Sequence, residues 1–330
     1  MIRYNEKIKK VGTFMNEAKM EIKNPHARAG FFTNIKRYKS VYMLVLPAIL
    51  CATIFYYLPL GGVVIAFKDF DIIEGIIGSP WVGFQNFIEV FSQEEMLGAV
   101  WNTLFYGVVL TFGSFPFPII LAILFNELRN IHFKKITQTI AYMPYFLSWI
   151  SVVGLFYTLF GTEGVFNTFM AKIVGEGYEA KNILLEPDYF LPILFLSNLW
   201  KSVGWNSVIF LAAIAGIDPT LYEAATIDGC GKLKQTWHIT LPGIRGTIIV
   251  LLVMNVGGIV STNFEQVYGF QNVFTQPYTD TINTIIYRSG IQEGKYSLAT
   301  AFGLSQGIVT LTLILLSNAL SKKVANTSIW

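Results

Sequence analysis

The reading turns on residues 218–242: Asp218-Pro219-Thr220-Leu221-Tyr222-Glu223-Ala224-Ala225-Thr226-Ile227-Asp228-Gly229-Cys230-Gly231, closing on Trp237-His238-Ile239-Thr240-Leu241-Pro242. This is a polar interruption in an otherwise apolar chain. Asp218 suits an N-cap, and Pro219 the first helical position, where a missing N–H costs nothing. Gly229 suits the left-handed residue that closes a helix. The spacing predicts a short helix from Pro219 to Asp228. Ala224 and Ala225 give it a slim face that fits a groove on another protein, with Glu223 at the edge to accept a cation. An ordinary surface helix between two membrane spans would carry the same caps.

Composition sets the class. The chain has 330 residues, 53% of them hydrophobic and 14% charged, with a mean hydropathy of +0.51. These values lie far outside the range of a soluble domain and imply an integral membrane protein. Cys51 and Cys230 sit in an apolar run and in the polar interruption, so neither a disulfide framework nor a metal site is expected. Residues 1–40 hold ten Lys/Arg against three acids, too polar a prelude for a cleaved signal. Ile8, Val11, Phe14 and Met15, set among Lys7, Lys9, Lys10 and Lys19, fit an amphipathic helix on the inner leaflet or a loosely ordered basic tail.

Six apolar stretches follow, at Val41–Phe67, Ala99–Phe125, Ile136–Phe160, Tyr189–Gly216, Ile244–Thr262 and Leu298–Leu320. Pro47, Pro59 and Gly61-Gly62 suggest kinks in the first. The connection Lys68–Gly98 carries six acids and one base, and Gly161–Asp188 is again acid-rich. Of the 24 Lys and Arg residues, eighteen fall on the side of both termini and five on the other, while Lys201 lies within a span. Excess cation marks the cytoplasm, which places both termini and residues 218–242 inside. Asn263–Ser297 is too apolar for a solvated loop, and Pro277, Asp280 and Arg288 argue against a seventh span. It is expected to be a loop with one short helix at the outer mouth.

The series Glu-Ala-Ala, then Asp-Gly, then Ile-x-Leu-Pro resembles the EAA loop of ABC importer permeases. Gly78-Ser79-Pro80-Trp81-Val82-Gly83-Phe84-Gln85-Asn86-Phe87, Asn102-Thr103, Met143-Pro144-Tyr145-Phe146-Leu147-Ser148-Trp149, Phe264-Glu265-Gln266-Val267-Tyr268 and Tyr287-Arg288-Ser289-Gly290 are similar to the carbohydrate-importing, LplB-like branch of that family. Arg245 departs from it, since many relatives carry proline there. The resemblance implies an all-α, six-helix membrane protein with the type I importer (MetI-like) permease fold. Its parts would be a basic cytoplasmic tail 1–40, a first transmembrane helix and outer loop 41–98, a five-helix permease core 99–321 that includes the coupling loop 218–242, and a cytoplasmic tail 322–330. It implies a multi-pass subunit of the bacterial plasma membrane that pairs with a second, non-identical permease. The implied partners are two copies of a cytoplasmic ATPase, which would use ATP and Mg, an extracytoplasmic sugar-binding protein and an oligosaccharide. Glu223, Ala224, Ala225, Asp228, Gly229, Leu241 and Pro242 would carry the contact with the ATPase.

No phosphate-cradling loop is completed at Gly231-Lys232 or Gly294-Lys295, so the chain is expected to bind no nucleotide itself. His26, His132 and His238 have no partners at metal or triad spacing, and no enzyme activity or metal is expected. Polar side chains inside spans are the candidates for a sugar pathway: Asn198, Lys201, Trp205 and Asn206, with Asn255 and Gln306. The competing reading is interhelical hydrogen bonding, with Lys201 reaching a carboxylate or a carbonyl. Lys201 also leaves an acidic sugar open. Gly303 and Gly307 read as a close helix contact. The competing functions are the same machine with a peptide, amino acid or polyol phosphate cargo, and a stand-alone secondary transporter, whose inverted repeats and intramembrane carboxylates are not evident.

Overall fold

A computed structural model describes residues 38–175, 177–260 and 262–325. The amphipathic reading of residues 7–19 and most of the C-terminal tail lie outside the described residues. The chain divides into two compact units, residues 1–62 and 63–330. Among the described residues, four helical stretches are long and apolar enough to cross a membrane, or six if each of two bent pairs counts as one span.

In the first unit, α1 (Lys39–Ala52) contains Pro47 and runs into a π-helical turn at Thr53–Tyr57. A 3-10 stretch, Leu58–Phe67, follows. The change of winding coincides with Pro59, which cannot donate to the ladder, and with the glycine pair.

The 3-10 stretch runs on into the second unit, where a short turn at Gly75–Gly78 and α2 (Gln85–Ser92) follow. Next come α3 (Glu94–Ser114) and α4 (Pro116–Glu127), which meet at Pro116. The third apolar stretch is not one helix. It divides into α5 (Ile131–Tyr142), a 3-10 turn at Met143–Phe146 and α6 (Trp149–Phe160). Pro144 removes a ladder donor, and Ser148 restarts the helix by accepting the Ser151 N–H at 3.2 Å. Where a plain outer loop is expected, α7 (Val165–Val174) forms after Gly164. Then come α8 (Phe190–Ala215), α9 (Pro219–Ile227) and α10 (Arg245–Gly257). At 13 residues α10 rises only about 20 Å, well short of a bilayer core. The helical segment before it, Lys232–Gly243, meets it at a 61° bend just ahead of Arg245.

The segment after α10 is more built than one short helix. It holds α11 (Phe264–Phe270), a turn at Gln276–Thr279, α12 (Ile282–Tyr287) and a π turn at Arg288–Gln292 before α13 (Tyr296–Ala325). Asp280 is buried here, paired with Arg288 at 2.7 Å and accepting the Thr284 hydroxyl. These polar contacts replace the water a loop would need.

Among the described residues, three apolar cores organise the unit. The first joins Tyr106 and Leu110 of α3, Val152 and Phe156 of α6, Leu194 of α8 and Phe270 of α11. The second joins α2, α3, α12 and α13 through Val90, Ala99, Ile285 and Phe302. The third gathers Ala122 of α4, Phe210 and Ile214 of α8, and Ile244. Two glycines permit close approach: a Cβ on Gly107 would lie 1.9 Å from the Ile259 carbonyl oxygen, and one on Gly204 2.0 Å from that of Ala141.

Candidate functional site: the coupling loop and the polar cleft

The helix anticipated from the polar interruption forms as α9, bent by 72° from the preceding helical stretch. Asp218 Oδ1 accepts the Thr220 N–H at 3.0 Å. This bond holds the Asp218 carboxyl below the ordinary carboxylate range. At the other end Gly229 has φ +76°; its N–H donates to the Thr226 carbonyl, and the Cys230 N–H to that of Ala225. The paired bonds satisfy orphan carbonyls of the last turn in a Schellman closure.

Glu223 and Ala224 are exposed and Ala225 half-buried. Glu223 makes no ion pair among the described residues. Asp228 and Pro242 are exposed too, whereas Leu241 packs against the third core, beside Ile244. Two residues that sequence reasoning did not single out stand out here. Ile227 is 86% and Leu233 87% exposed, and Trp237 is exposed as well. Their signal was available, since each is a bare apolar residue within a polar interruption, the pattern of a surface awaiting a partner.

The second candidate region is a cleft of about 340 Å³ between α3, α6, α8 and α10. Asn198, Asn206 and Asn255 all line it, joined by Ser202, Trp149 and Gln266. Every lining residue is uncharged. The Thr262 hydroxyl, also on the wall, is buried with no hydrogen-bond partner among the described residues.

Lys201, Trp205 and Gln306 are not on this wall. Lys201 is buried, and its Nζ donates to the carbonyls of Tyr145 at 2.8 Å, Pro144 at 3.4 Å and Leu147. It also lies over the rings of Tyr145 and Trp149, 5.6 and 5.4 Å from their centroids. Those carbonyls belong to the break between α5 and α6; that of Pro144 also accepts the Leu147 N–H at 3.2 Å, and one ammonium with three donors reaches all three. Trp205 stacks on Tyr145 with ring centroids 4.8 Å apart. Gln306 Nε2 donates to the Val260 carbonyl at 2.6 Å, tying α13 to the chain beyond α10. All three are engaged in holding helices together.

Comparison with known proteins fits this geometry. Residues 95–326 match the model of the binding-protein-dependent transport system inner membrane component family. The chain is 39% identical over 292 residues to the polygalacturonan/rhamnogalacturonan transport system permease protein YteP of Bacillus subtilis, covering 88% of this chain and 90% of that one. It is 40% identical over 290 residues to Protein LplB of the same organism, covering 88% and 90%. It also resembles a chain in the crystal structure of a bacterial ABC transporter involved in the import of the acidic polysaccharide alginate, with TM-score 0.81 and 37% identity over 90% of this chain and 100% of that one. A structure of the bacterial alginate transporter in complex with alginate pentasaccharide-bound periplasmic protein gives TM-score 0.82 at 36% identity, covering 91% and 100%. With the family model matching well over half its length, the chain belongs to the binding-protein-dependent transport system inner membrane components.

Proposed function

We propose that the chain is the transmembrane permease subunit of an ATP-driven, binding-protein-dependent importer of oligosaccharides, and that it forms half of the translocation pathway. It works beside a second, non-identical permease, receives its cargo from an extracytoplasmic sugar-binding protein, and is powered by two cytoplasmic ATPase subunits that use ATP and Mg. Both termini and α9 face the cytoplasm. The observation that carries this reading is α9 itself: a rod capped at both ends, turned away from its membrane helix, with an exposed carboxylate at Glu223 and a bare apolar side chain at Ile227, followed by a second at Leu233 just after the rod. Glu223 meets a cation in the ATPase groove. Ala224 and Ala225 keep the rod slim, and Gly229 allows the chain to turn back. Closure of the ATPase dimer then moves α9 and the attached helices as rigid bodies between inward and outward openings.

Oligosaccharide cargo is supported by the named transport of the relatives and by the uncharged amide and hydroxyl lining of the cleft, which matches sugar hydroxyls. The test is the pair Glu223→Gln and Gly229→Asp in the reconstituted transporter. Glu223→Gln weakens coupling with insertion intact. Gly229→Asp strains a left-handed position by about 1 kcal/mol and abolishes docking. If sugar uptake and ATPase stimulation survive both changes, α9 is not the motor contact.

A further inference from the structure

Resting on the coupling role just proposed, we infer that Gln235 is the positioning residue that makes α9 and the helix leading to the cleft one mechanical body. Gln235 is 5% exposed on the segment after α9. Its Nε2 donates to Thr226 Oγ1 and to the Cys230 carbonyl, both at 3.0 Å. The Thr226 hydroxyl in turn donates to the Tyr222 carbonyl at 2.7 Å. Five residues further on, Thr240, also 5% exposed, meets the Tyr222 hydroxyl at 3.0 Å. Two rungs therefore cross the coupling loop, from Thr226 to Gln235 and from Tyr222 to Thr240.

The winding of the intervening turn explains how both rungs form. Tyr222 and Thr226 are four apart on an α-helix and share a face. Gln235 and Thr240 are five apart, a spacing that would splay them on an α-helix. Residues Thr236–Thr240 are π-wound, and a wider turn returns residues five apart to one side. The same segment carries Ile244, which is 1% exposed among Ala122, Phe210 and Ile214, and then α10, whose Asn255 lines the cleft. The side chains Glu223, Ile227 and Leu233 that await a partner are outside the ladder. Docking and transmission thus use different residues of one loop.

The test uses the whole transporter in proteoliposomes, with Cys51→Ser and Cys230→Ser in this chain; the Cys230 acceptor is its backbone carbonyl and survives the change. Asn255→Cys then reports on the cleft through its rate of maleimide labelling with and without ATP and Mg. In the otherwise unaltered transporter, nucleotide changes that rate. With Gln235→Leu the ATPase still co-purifies and hydrolyses ATP, but the nucleotide-dependent difference shrinks by roughly fivefold or more, and Tyr222→Phe added to it removes the remainder. A full nucleotide response in Gln235→Leu overturns the inference, as does loss of ATPase co-purification in that variant, which would assign Gln235 to docking. Failure of the ATPase to co-purify with the unaltered chain would instead refute the coupling role on which the inference stands.

Discussion

Two buried lysines solve the same problem in two regions of the molecule. Near the start of the second unit, Lys68 Nζ donates to the carbonyls of Ile76 at 2.6 Å, Ser79 at 3.0 Å and Ile77 at 3.4 Å, and lies 5.0 Å from the centroid of the Trp81 ring. In the membrane helices, Lys201 does the same with Pro144, Tyr145 and Leu147, over Tyr145 and Trp149. Each places an ammonium where a helical turn ends, on carbonyls that lack a backbone partner except for that of Pro144, which also accepts the Leu147 N–H. The difference is reach. Lys68 closes on residues eight to eleven further along, so it tidies a turn. Lys201 closes over 54 to 57 residues, so it fixes how α8 lies against the α5–α6 break. Asn198 and Ser202, on either side of Lys201, and Trp149 beneath its ammonium all line the cleft. A cation that plays no part in the cleft wall therefore sets the spacing of the residues that do.

The largest expected effect tests that distinction. Lys201→Met keeps the apolar stem and removes three donors, leaving carbonyls in a region without water to replace them. Relief from burying a charge offsets part of the loss, so the net destabilisation is about 2–3 kcal/mol. Thermal unfolding of the detergent-purified transporter should show it, together with a fall in sugar uptake greater than the fall in assembled protein. Uptake that merely tracks the amount of protein would make Lys201 a plain staple and break the comparison. Lys68→Met is the milder change, at about 1 kcal/mol. Ile77 beside it is 96% exposed, and the Asn86 amide independently holds the carbonyls of Ala66 and Lys68 at 2.9 Å. Its uptake per assembled transporter should match the unaltered protein.

These lysines also show where the sequence was legible. Residues 218–242 could be read because their determinants are local and carried by side chains. Asp218 caps and Gly229 closes within a dozen residues of each other, and the structure differs from the predicted Pro219–Asp228 helix by one residue. Asn198, Asn206 and Asn255 could be grouped because an amide inside a span faces protein or a water-filled path, although Gln306, grouped with them, is spent on the Val260 carbonyl. The partners of Lys201 could not, because a backbone carbonyl has no letter in the sequence. Nothing marks Pro144, Tyr145 and Leu147 as acceptors until Pro144 is seen to divide the third apolar stretch. The same holds for Gly107 and Gly204, whose close contacts are with the backbone of Ile259 and Ala141. The segment 263–297 is more built than its sequence suggests, for a related reason. Gln266, buried, spends its amide on the Leu194 carbonyl and Ser197 Oγ, at 2.7 and 2.9 Å, and a polar residue that serves the core reads from sequence as one that serves a loop.

The smallest expected effect separates the two lysines by shape instead of charge. Arginine keeps the cation but replaces a compact tetrahedral donor with a broad planar fork. At Lys68 the carbonyl acceptors come from a short turn, and the Trp81 ring, 65% exposed, offers a face on which a guanidinium stacks well. Lys68→Arg should therefore leave the unfolding free energy within about 0.5 kcal/mol of the original. At Lys201 the ammonium sits between two rings and three carbonyls. Three residues on, α8 already approaches α5 so closely that Gly204 has no room for a Cβ. A larger head group has to push α8 away from the break, at a cost typical of overpacking, about 1–2 kcal/mol. Comparing the two arginine variants by thermal unfolding isolates geometry from electrostatics. Equal tolerance would mean that Lys201 needs only its charge, and that the cleft spacing is set by the glycine contact alone.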